Sequence, residues 1–139
     1  MAGPVSRTAK SIDKEVLKFP AGLDAIESVV ILASGVSALP SAVAGFAGKI
    51  GLQAGTILTK IPGDSKKRYR QFTGAPGEVI EGVLGDNKFF YSANDESDTG
   101  ADMLFHNCVF DASKIVDYAA REVALKAALT TCLFDETDL

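Results

Sequence analysis

His106 and Cys108 are the residues whose types and spacing come closest to covalent chemistry. They stand two positions apart, so on a β-strand they would share a face and could act as base and nucleophile. No local signature of a cysteine enzyme surrounds them, and the sequence places no further orienting group. A structural histidine beside the aromatic Phe105 and Phe110 is the alternative. We predict no catalytic residue and a protein that is not an enzyme.

Metal chemistry would need more ligands than the sequence groups together. His106 and Cys108 supply only part of the four-ligand set of a structural zinc site. The acidic stretch of residues 95–102 lacks the alternate oxygen ligands, central glycine and closing glutamate of a calcium loop. We interpret that stretch as a solvated turn and predict no metal and no cofactor.

The cationic groups form one local patch of Lys66, Lys67, Arg68 and Arg70 in a chain of net charge −4. A nucleic-acid partner would be expected to draw on a wider basic surface, so we predict none. The patch could be a phosphate-binding site or a solvated turn, and short charge runs favour the turn.

Composition indicates a single domain without disulfides. A chain of 139 residues suits one domain with a modest core. The two cysteines, Cys108 and Cys132, lie in apolar surroundings where a free thiol packs like a small hydrophobe. Charges in the first fifteen residues argue against a signal peptide, and glycines and a proline interrupt the apolar residues 29–58. We expect a soluble protein made in the cytoplasm, with no membrane partner.

The elements that would position these residues are mostly short strands. Residues 25–35 and 52–61 are rich in β-branched residues and bounded by glycine, and residues 79–84 form a second apolar run. We interpret residues 52–61 and 79–84 as two strands of a small bent sheet, joined by a polar excursion. Residues 88–91 and 101–110 are further predicted strands.

One helix is predicted near the C-terminus, over residues 113–129, with Asp111 or Ser113 as its cap. The helical period places four side chains towards a core: Ile115, Tyr118, Ala119 and Val123. Residues 130–134 form a short β-like return, and residues 36–50 are a glycine-rich, loosely helical insertion.

Residues 1–24 form a predicted N-terminal arm, and residues 25–139 form a predicted β-rich domain. The arm has four apolar anchors, Ile12, Val16, Leu17 and Phe19, on a segment too short to hold a helix alone. Such a segment either docks on its own domain or becomes ordered against a partner.

The order of these parts resembles the head decoration proteins of lambda-like tailed bacteriophages. The resemblance covers about residues 26–134. It rests on a strand ending in Ala33-Ser34-Gly35, on Ala54-Gly55-Thr56-Ile57-Leu58-Thr59-Lys60, on Glu81-Gly82-Val83-Leu84, and on the C-terminal helix with its terminal strand. This chain differs from the family in the insertion at 36–50, in Thr59 where glycine is usual, and in a longer arm.

The resemblance implies a β-rich α+β fold, a compact bent sheet of the β-clip (β-tulip) kind with a C-terminal helix. It implies a homotrimer on the outer surface of the expanded capsid in the virion, stabilising the head through the major capsid protein. The arm anchors Ile12, Val16, Leu17 and Phe19 would then bind the capsid, by adding a strand to a capsid loop. The alternatives are a lipoyl-type carrier or other interaction module, and a small cysteine hydrolase using Cys108.

Overall fold

The computed structural model describes residues 11–32, 50–90 and 98–139. In these ranges there are eleven short strands, one α-helix and two 3₁₀ turns, at Leu23–Ala25 and Ala112–Lys114. The strands and helix are β1 (Ser11–Ile12), β2 (Ala21–Gly22), β3 (Ile26–Leu32), β4 (Ile50–Leu52), β5 (Ile57–Lys60), β6 (Tyr69–Gln71), β7 (Ile80–Leu84), β8 (Lys88–Phe90), β9 (Asp98–Leu104), β10 (Val109–Asp111), α1 (Tyr118–Ala128) and β11 (Leu133–Asp135). The fold is therefore β-rich α+β, with one C-terminal helix, as the sequence predicts.

Five strands form a closed sheet in the order β3-β6-β5-β7-β9 and back to β3. All its pairings are antiparallel except β3 with β6, which meet in parallel at Ile31 and Tyr69. The longest pairing is between β3 and β9, from Ile26 opposite Leu104 to Leu32 opposite Asp98. Three two-stranded pairs flank the closed sheet: β1 with β2, β4 with β8, and β10 with β11.

The predicted central pair is confirmed as β5 and β7. Leu58 lies opposite Gly82, and the register shifts by a bulge between Leu58 and Thr59. A Cβ on Gly82 would lie 2.6 Å from Met103 Cγ, so only glycine allows β9 to approach this closely. The bulge and the close approach both favour the strong bend that the sequence predicts.

Two clusters of buried side chains occupy the two faces of the central strands. Neighbouring residues divide between them: Ile57 packs in one cluster and Leu58 in the other, and the same holds for Val83 and Leu84. The second cluster consists of strand residues: Val29, Ile31, Leu52, Leu58, Tyr69, Leu84, Ala101 and Met103. The first adds side chains from the N-terminal segment, β10 and α1. Burial on both faces explains why apolar residues are adjacent in these strands, as Ile57-Leu58 in β5 and Val83-Leu84 in β7.

The helix begins later than predicted, at Tyr118 rather than near residue 113. Asp111 does cap a turn, since its carboxylate accepts the Ser113 N–H at 3.1 Å, but that turn is a 3₁₀ turn. Asp117 then takes a left-handed conformation, with φ of 60°, which separates the turn from α1. Tyr118 and Leu125 are buried on the inner face of α1.

Two of the four predicted core positions near α1 are wrong. Ile115 and Tyr118 are buried as predicted, whereas Ala119 and Val123 are exposed, Val123 by 83%. The side chains buried at helical spacing are instead Tyr118, Leu125 and Leu129.

The predicted strand over 101–110 divides into β9 and β10. Asn107 has a φ of 51° and terminates the extended backbone between them. The prediction that His106 and Cys108 share a strand face is therefore wrong. The sequence also missed β6, because its three residues include Arg70 and follow Arg68, with no apolar run.

Residues 11–24, which the sequence assigns to the arm, pack on the rest of the described chain. β1 pairs with β2, and Val16 and Leu17 lie in the first cluster. The rest of the predicted arm, residues 1–10, lies outside the described residues. So does the predicted insertion at 36–50 except for Ile50, which begins β4.

A buried carboxylate organises the excursion between β6 and β7. The side chain of Glu78 is 1% exposed and accepts hydrogen bonds from Arg70 Nε at 2.9 Å, Thr73 N at 2.9 Å and Ala75 N at 3.1 Å. Burial alone would raise the pKa of Glu78, but these donors outweigh it and lower the pKa. The ionised carboxylate of Glu78 thus serves as the hydrogen-bond acceptor for backbone N–H groups of this loop.

We predict that Glu78→Gln lowers the free energy of unfolding by about 2–3 kcal/mol at neutral pH, since glutamine lacks the charge and keeps only one of the two oxygens that accept from Arg70 and from the loop amides. The contribution of Glu78 is fully present above its unfolded pKa of 4.5 and is lost as the pH falls through the lowered folded value. Urea titrations should therefore show that the difference in free energy of unfolding between the wild-type protein and Glu78→Gln becomes smaller in acid. Glu122→Gln, at an exposed pair with Lys126, is the control and should change stability by less than about 0.5 kcal/mol. Equal losses in both variants would contradict this role of Glu78.

We also predict that Gly55→Ala is severely destabilising, by about 3–5 kcal/mol. Gly55 has a φ of +97°, and its added Cβ would lie 1.9 Å from the carbonyl oxygen of Lys114. Gly63→Ala is the matched control, because Gly63 has a φ of +75° with nothing within 4 Å of the new atom. It should show only the backbone cost of about 1–2 kcal/mol. Thermal unfolding of both variants measures these losses. Equal losses of stability in Gly55→Ala and Gly63→Ala would contradict the close contact between Gly55 and Lys114.

Candidate functional site

The four predicted anchors lie in or beside the N-terminal loop, residues 13–20, which connects β1 to β2. Val16 is 1% exposed and Leu17 7% exposed, so both side chains belong to the core of this chain. Ile12 is half-buried in β1, and Phe19 is 58% exposed. Of the two possibilities that the sequence left open, residues 11–24 show docking on their own domain. Capsid binding by the anchors stays a prediction, and Val16 and Leu17 offer little surface for it.

The N-terminal loop is held against β10 by backbone hydrogen bonds. Lys18 N–H donates to the Val109 carbonyl at 2.8 Å, and Asp111 N–H donates to the Val16 carbonyl at 2.8 Å. These two bonds frame the antiparallel bridge between Leu17 and Phe110. β10 therefore has the N-terminal loop on one side and β11 on the other.

Ion pairs of two lysines, Lys14 and Lys18, connect the same loop to other parts of the chain. Lys14 Nζ contacts Asp86 at 2.9 Å and Asp102 at 3.3 Å. The hydrogen bond to Asp86 raises the pKa of Lys14, against the lowering effect of burial. Lys18 Nζ contacts Asp138 at 3.1 Å, so the loop also touches the C-terminal tail.

Phe19 is left outside because the two preceding apolar side chains turn inward. Leu17 N–H closes a turn on the Lys14 carbonyl at 2.9 Å, which directs Val16 and Leu17 into the core. Phe19 and Leu23, exposed by 58% and 54%, follow within a few residues of each other. We call Ile12, Phe19 and Leu23 the N-terminal apolar group. Exposed aromatic and branched side chains are the usual anchors of protein contacts.

The structure does not pair His106 with Cys108 as base and nucleophile. Cys108 Sγ lies 3.4 Å from the backbone oxygen of His106, and Cys108 is 1% exposed. The imidazole instead contacts Thr131 Oγ1 through Nδ1 at 3.0 Å and Asp24 Oδ2 through Nε2 at 3.7 Å. A buried thiol without an adjacent ring nitrogen is poorly suited to nucleophilic attack.

Asp24, His106, Asn107 and Thr131 form a polar cluster that sequence reasoning missed. Its carboxylate, imidazole and hydroxyl have the connectivity of a hydrolase triad. However, Thr131 Oγ1 also accepts the Asn107 N–H at 3.2 Å, and Asn107 Nδ2 donates to Asp24 at 3.2 Å. These contacts join three chain segments at the surface. No local sequence pattern predicts them, because Asp24 and Thr131 are far apart in sequence.

The basic patch is largely neutralised by carboxylates of the chain itself. Arg68 Nε contacts Asp64 at 3.0 Å, and Arg70 Nε contacts Glu78 at 2.9 Å. The hydrogen bond from Arg68 lowers the pKa of Asp64 to about 2. Lys66 and Lys67 are exposed at the tip of the β5–β6 hairpin. The pairing favours the solvated turn over a phosphate site.

Two further searches of the described residues bear on ligands and membranes. Across residues 11–32, 50–90 and 98–139, no three His, Cys, Asp or Glu side chains converge in a way that could hold a metal ion. In the same ranges, no helix has the length and apolar character needed to cross a bilayer. Residues 95–97 of the acidic stretch lie outside the described residues. Residues 98–102 lie in β9 rather than in the predicted solvated turn, and Asp102 pairs with Lys14.

No family model, characterised protein or solved structure matches this chain. The likeness to decoration proteins therefore rests on the order of the sequence motifs alone.

We predict opposite consequences for two neighbouring residues of the N-terminal loop. Leu17→Ala should lower the free energy of unfolding by about 2–4 kcal/mol, because it leaves a cavity beside Phe110. Phe19→Ala should change it by less than about 0.5 kcal/mol, because the ring is largely exposed. Denaturant titrations of both variants check the assignment. If Leu17→Ala left the free energy of unfolding unchanged, the N-terminal loop would not be part of the core.

Proposed function

We propose that this chain is a capsid decoration protein of a lambda-like tailed phage. It binds as a homotrimer to the outer surface of the expanded head and stabilises the shell through contacts with the major capsid protein. The observation that carries the proposal is the order of the parts along the chain. The strand β3 precedes Ala33-Ser34-Gly35, and the strand β5 follows Gly55-Thr56. The strand β7 contains Gly82-Val83-Leu84, and α1 and β11 come last. The proposal includes the β-clip (β-tulip) architecture, which the bent central pair β5 and β7 supports.

The N-terminal apolar group supports the contact with the capsid. Phe19 and Leu23 expose large apolar side chains beside the short β1–β2 pair. Burying such side chains against a partner gains about 25 cal/mol per Å² of apolar surface. The bridge from Leu17 to Phe110 fixes their position before binding, which reduces the entropy lost on association. Ile12 and Phe19 are the anchors that the fold leaves partly or largely accessible.

A trimer suits a protein of this kind. Each protomer contributes one contact with the shell, so three weak contacts add through a high effective concentration. Closed symmetric association also covers apolar side chains that a monomer would expose. Besides the N-terminal apolar group, the exposed large apolar side chains of the described residues are Val30, Val79, Val123, Leu133 and Leu139.

A lipoyl-type carrier is the second candidate, and one observation favours it. Lys66 and Lys67 are exposed in the loop between the antiparallel strands β5 and β6, where a carrier displays its modified lysine. Against it, Ser65 and Arg68 flank the two lysines in place of the acidic and hydrophobic neighbours of that motif. Mass spectrometry of the protein from its host would show a modified lysine only if this second function is correct.

The proposal predicts saturable binding of the purified protein to expanded, empty heads of a lambda-like phage. Phe19→Ser should weaken binding at least about tenfold, as expected for an interface aromatic, without loss of folding. Val123→Ser removes a comparably exposed apolar side chain from α1 and should retain binding within about twofold. Co-sedimentation with the heads measures all three proteins. Absence of binding, or equal weakening by both substitutions, would contradict the proposal.

A further inference from the structure

The strand register brings the two cysteines together. β10 and β11 are parallel, with Val109 opposite Leu133, so Cys108 and Cys132 are the residues directly before the first pair. Leu133 N–H donates to the Cys108 carbonyl at 2.9 Å, which extends the ladder to this position. Adjacent strands lie about 4.8 Å apart, within the Cα separation of about 4.4–6.8 Å that a disulfide spans. Both thiols are free in the structure.

The side chains share one face of this strand pair. Side chains two positions apart point to the same side, so Cys108 lies with Phe110 and Cys132 with Phe134. The rings of Phe110 and Phe134 stack with centroids 5.4 Å apart, which shows that the faces are aligned. The aligned faces therefore turn the two thiols towards each other on the side of the strand pair that carries these rings.

Their surroundings make the two thiols unequal. The adjacent Cys132 thiol, together with burial, raises the pKa of Cys108. The adjacent Cys108 thiol lowers the pKa of Cys132, against the raising effect of burial. A thiolate is the nucleophile in disulfide exchange, so Cys132 is the thiol prepared to react.

Cys132 also has a route to solvent that Cys108 lacks. A surface groove of about 550 Å³ opens onto Cys132 between β11 and the last turn of α1. Its walls are Val109, Lys126, Cys132, Leu133, Phe134 and Asp135. Lys126 and Asp135 place one charge of each sign at this groove, and Lys126 Nζ also contacts Glu122 at 3.0 Å and Glu136 at 3.6 Å. Cys108 does not line the groove.

We propose that Cys132 and Cys108 are a reversible dithiol–disulfide pair, oxidised by a low-molecular-weight disulfide that enters the groove. The Cys132 thiolate attacks one sulfur of the small disulfide, forms a mixed disulfide and releases one thiol. The Cys108 sulfur then gives up its proton and attacks Cys132 Sγ, which releases the second thiol. The small disulfide takes up two electrons and two protons, and the protein gains one S–S bond. This inference does not depend on the proposed function.

The bond would close a loop that contains all of α1 and join the start of β11 to the start of β10. Cross-linking a loop of this length restricts the unfolded chain. We therefore expect the melting temperature to rise by roughly 5–10 °C on oxidation. The C-terminal strand would then be retained covalently when protein made under reducing conditions meets an oxidising medium.

The test uses the wild-type chain in its folded state, incubated with oxidised glutathione. Intact mass spectrometry should show the loss of two hydrogens, and digestion should yield one peptide pair linking Cys108 to Cys132. The melting temperature of this product should exceed that of the reduced protein. An unreacted protein, a stable glutathione adduct, a dimer linked between chains, or a lower melting temperature would each overturn the proposal.

The order of reaction is tested with limiting iodoacetamide on the same folded protein. Peptide mapping should show Cys132 alkylated at least about ten times faster than Cys108, because only Cys132 combines groove access with thiolate character. In urea the two rates should become similar, which serves as the internal control. Equal rates in the folded protein, or faster labelling of Cys108, would contradict the assignment of Cys132 as the attacking thiol.

Discussion

The backbone bridge between Leu17 and Phe110 is the interaction on which the arrangement of this protein depends. Two hydrogen bonds of 2.8 Å, Lys18 N–H to Val109 O and Asp111 N–H to Val16 O, place the N-terminal loop along β10. They satisfy an edge of β10 that would otherwise be unpaired, and they hold Val16 and Leu17 in the first cluster. Phe19, which follows this contact in the chain, is left exposed beside it.

Much of the strand content was predictable, because burial on both faces leaves a strong apolar signal. β3, β5 and β7 were found from runs of branched residues bounded by glycine. β6 was not, since it has only three residues, one of them charged, and no apolar run marks it. The start of α1 was misplaced because Asp111 caps a 3₁₀ turn, and the left-handed Asp117 that follows has no distinct sequence pattern.

The candidate site was predictable only as a set of apolar residues. The sequence identified Ile12, Val16, Leu17 and Phe19 together, but a pattern does not state which partner buries them. The structure divides the set: Val16 and Leu17 complete the core, and Phe19 faces outward. The meeting of Cys108 and Cys132 was equally hidden, because it depends on the parallel register of two strands separated by α1. Local patterns carry no information about such long-range pairing.

Hydrogen exchange at single amides tests the central claim, that the N-terminal loop belongs to the core, most directly. The Lys18 and Asp111 amides form their hydrogen bonds only if the N-terminal loop lies along β10. The structure predicts that both exchange as slowly as the Leu84 amide, which donates to Thr56 O at 2.8 Å within the central strands. If Lys18 and Asp111 instead exchange at the rate of an unfolded chain while Leu84 remains protected, the loop is a free arm and this account of the fold is wrong.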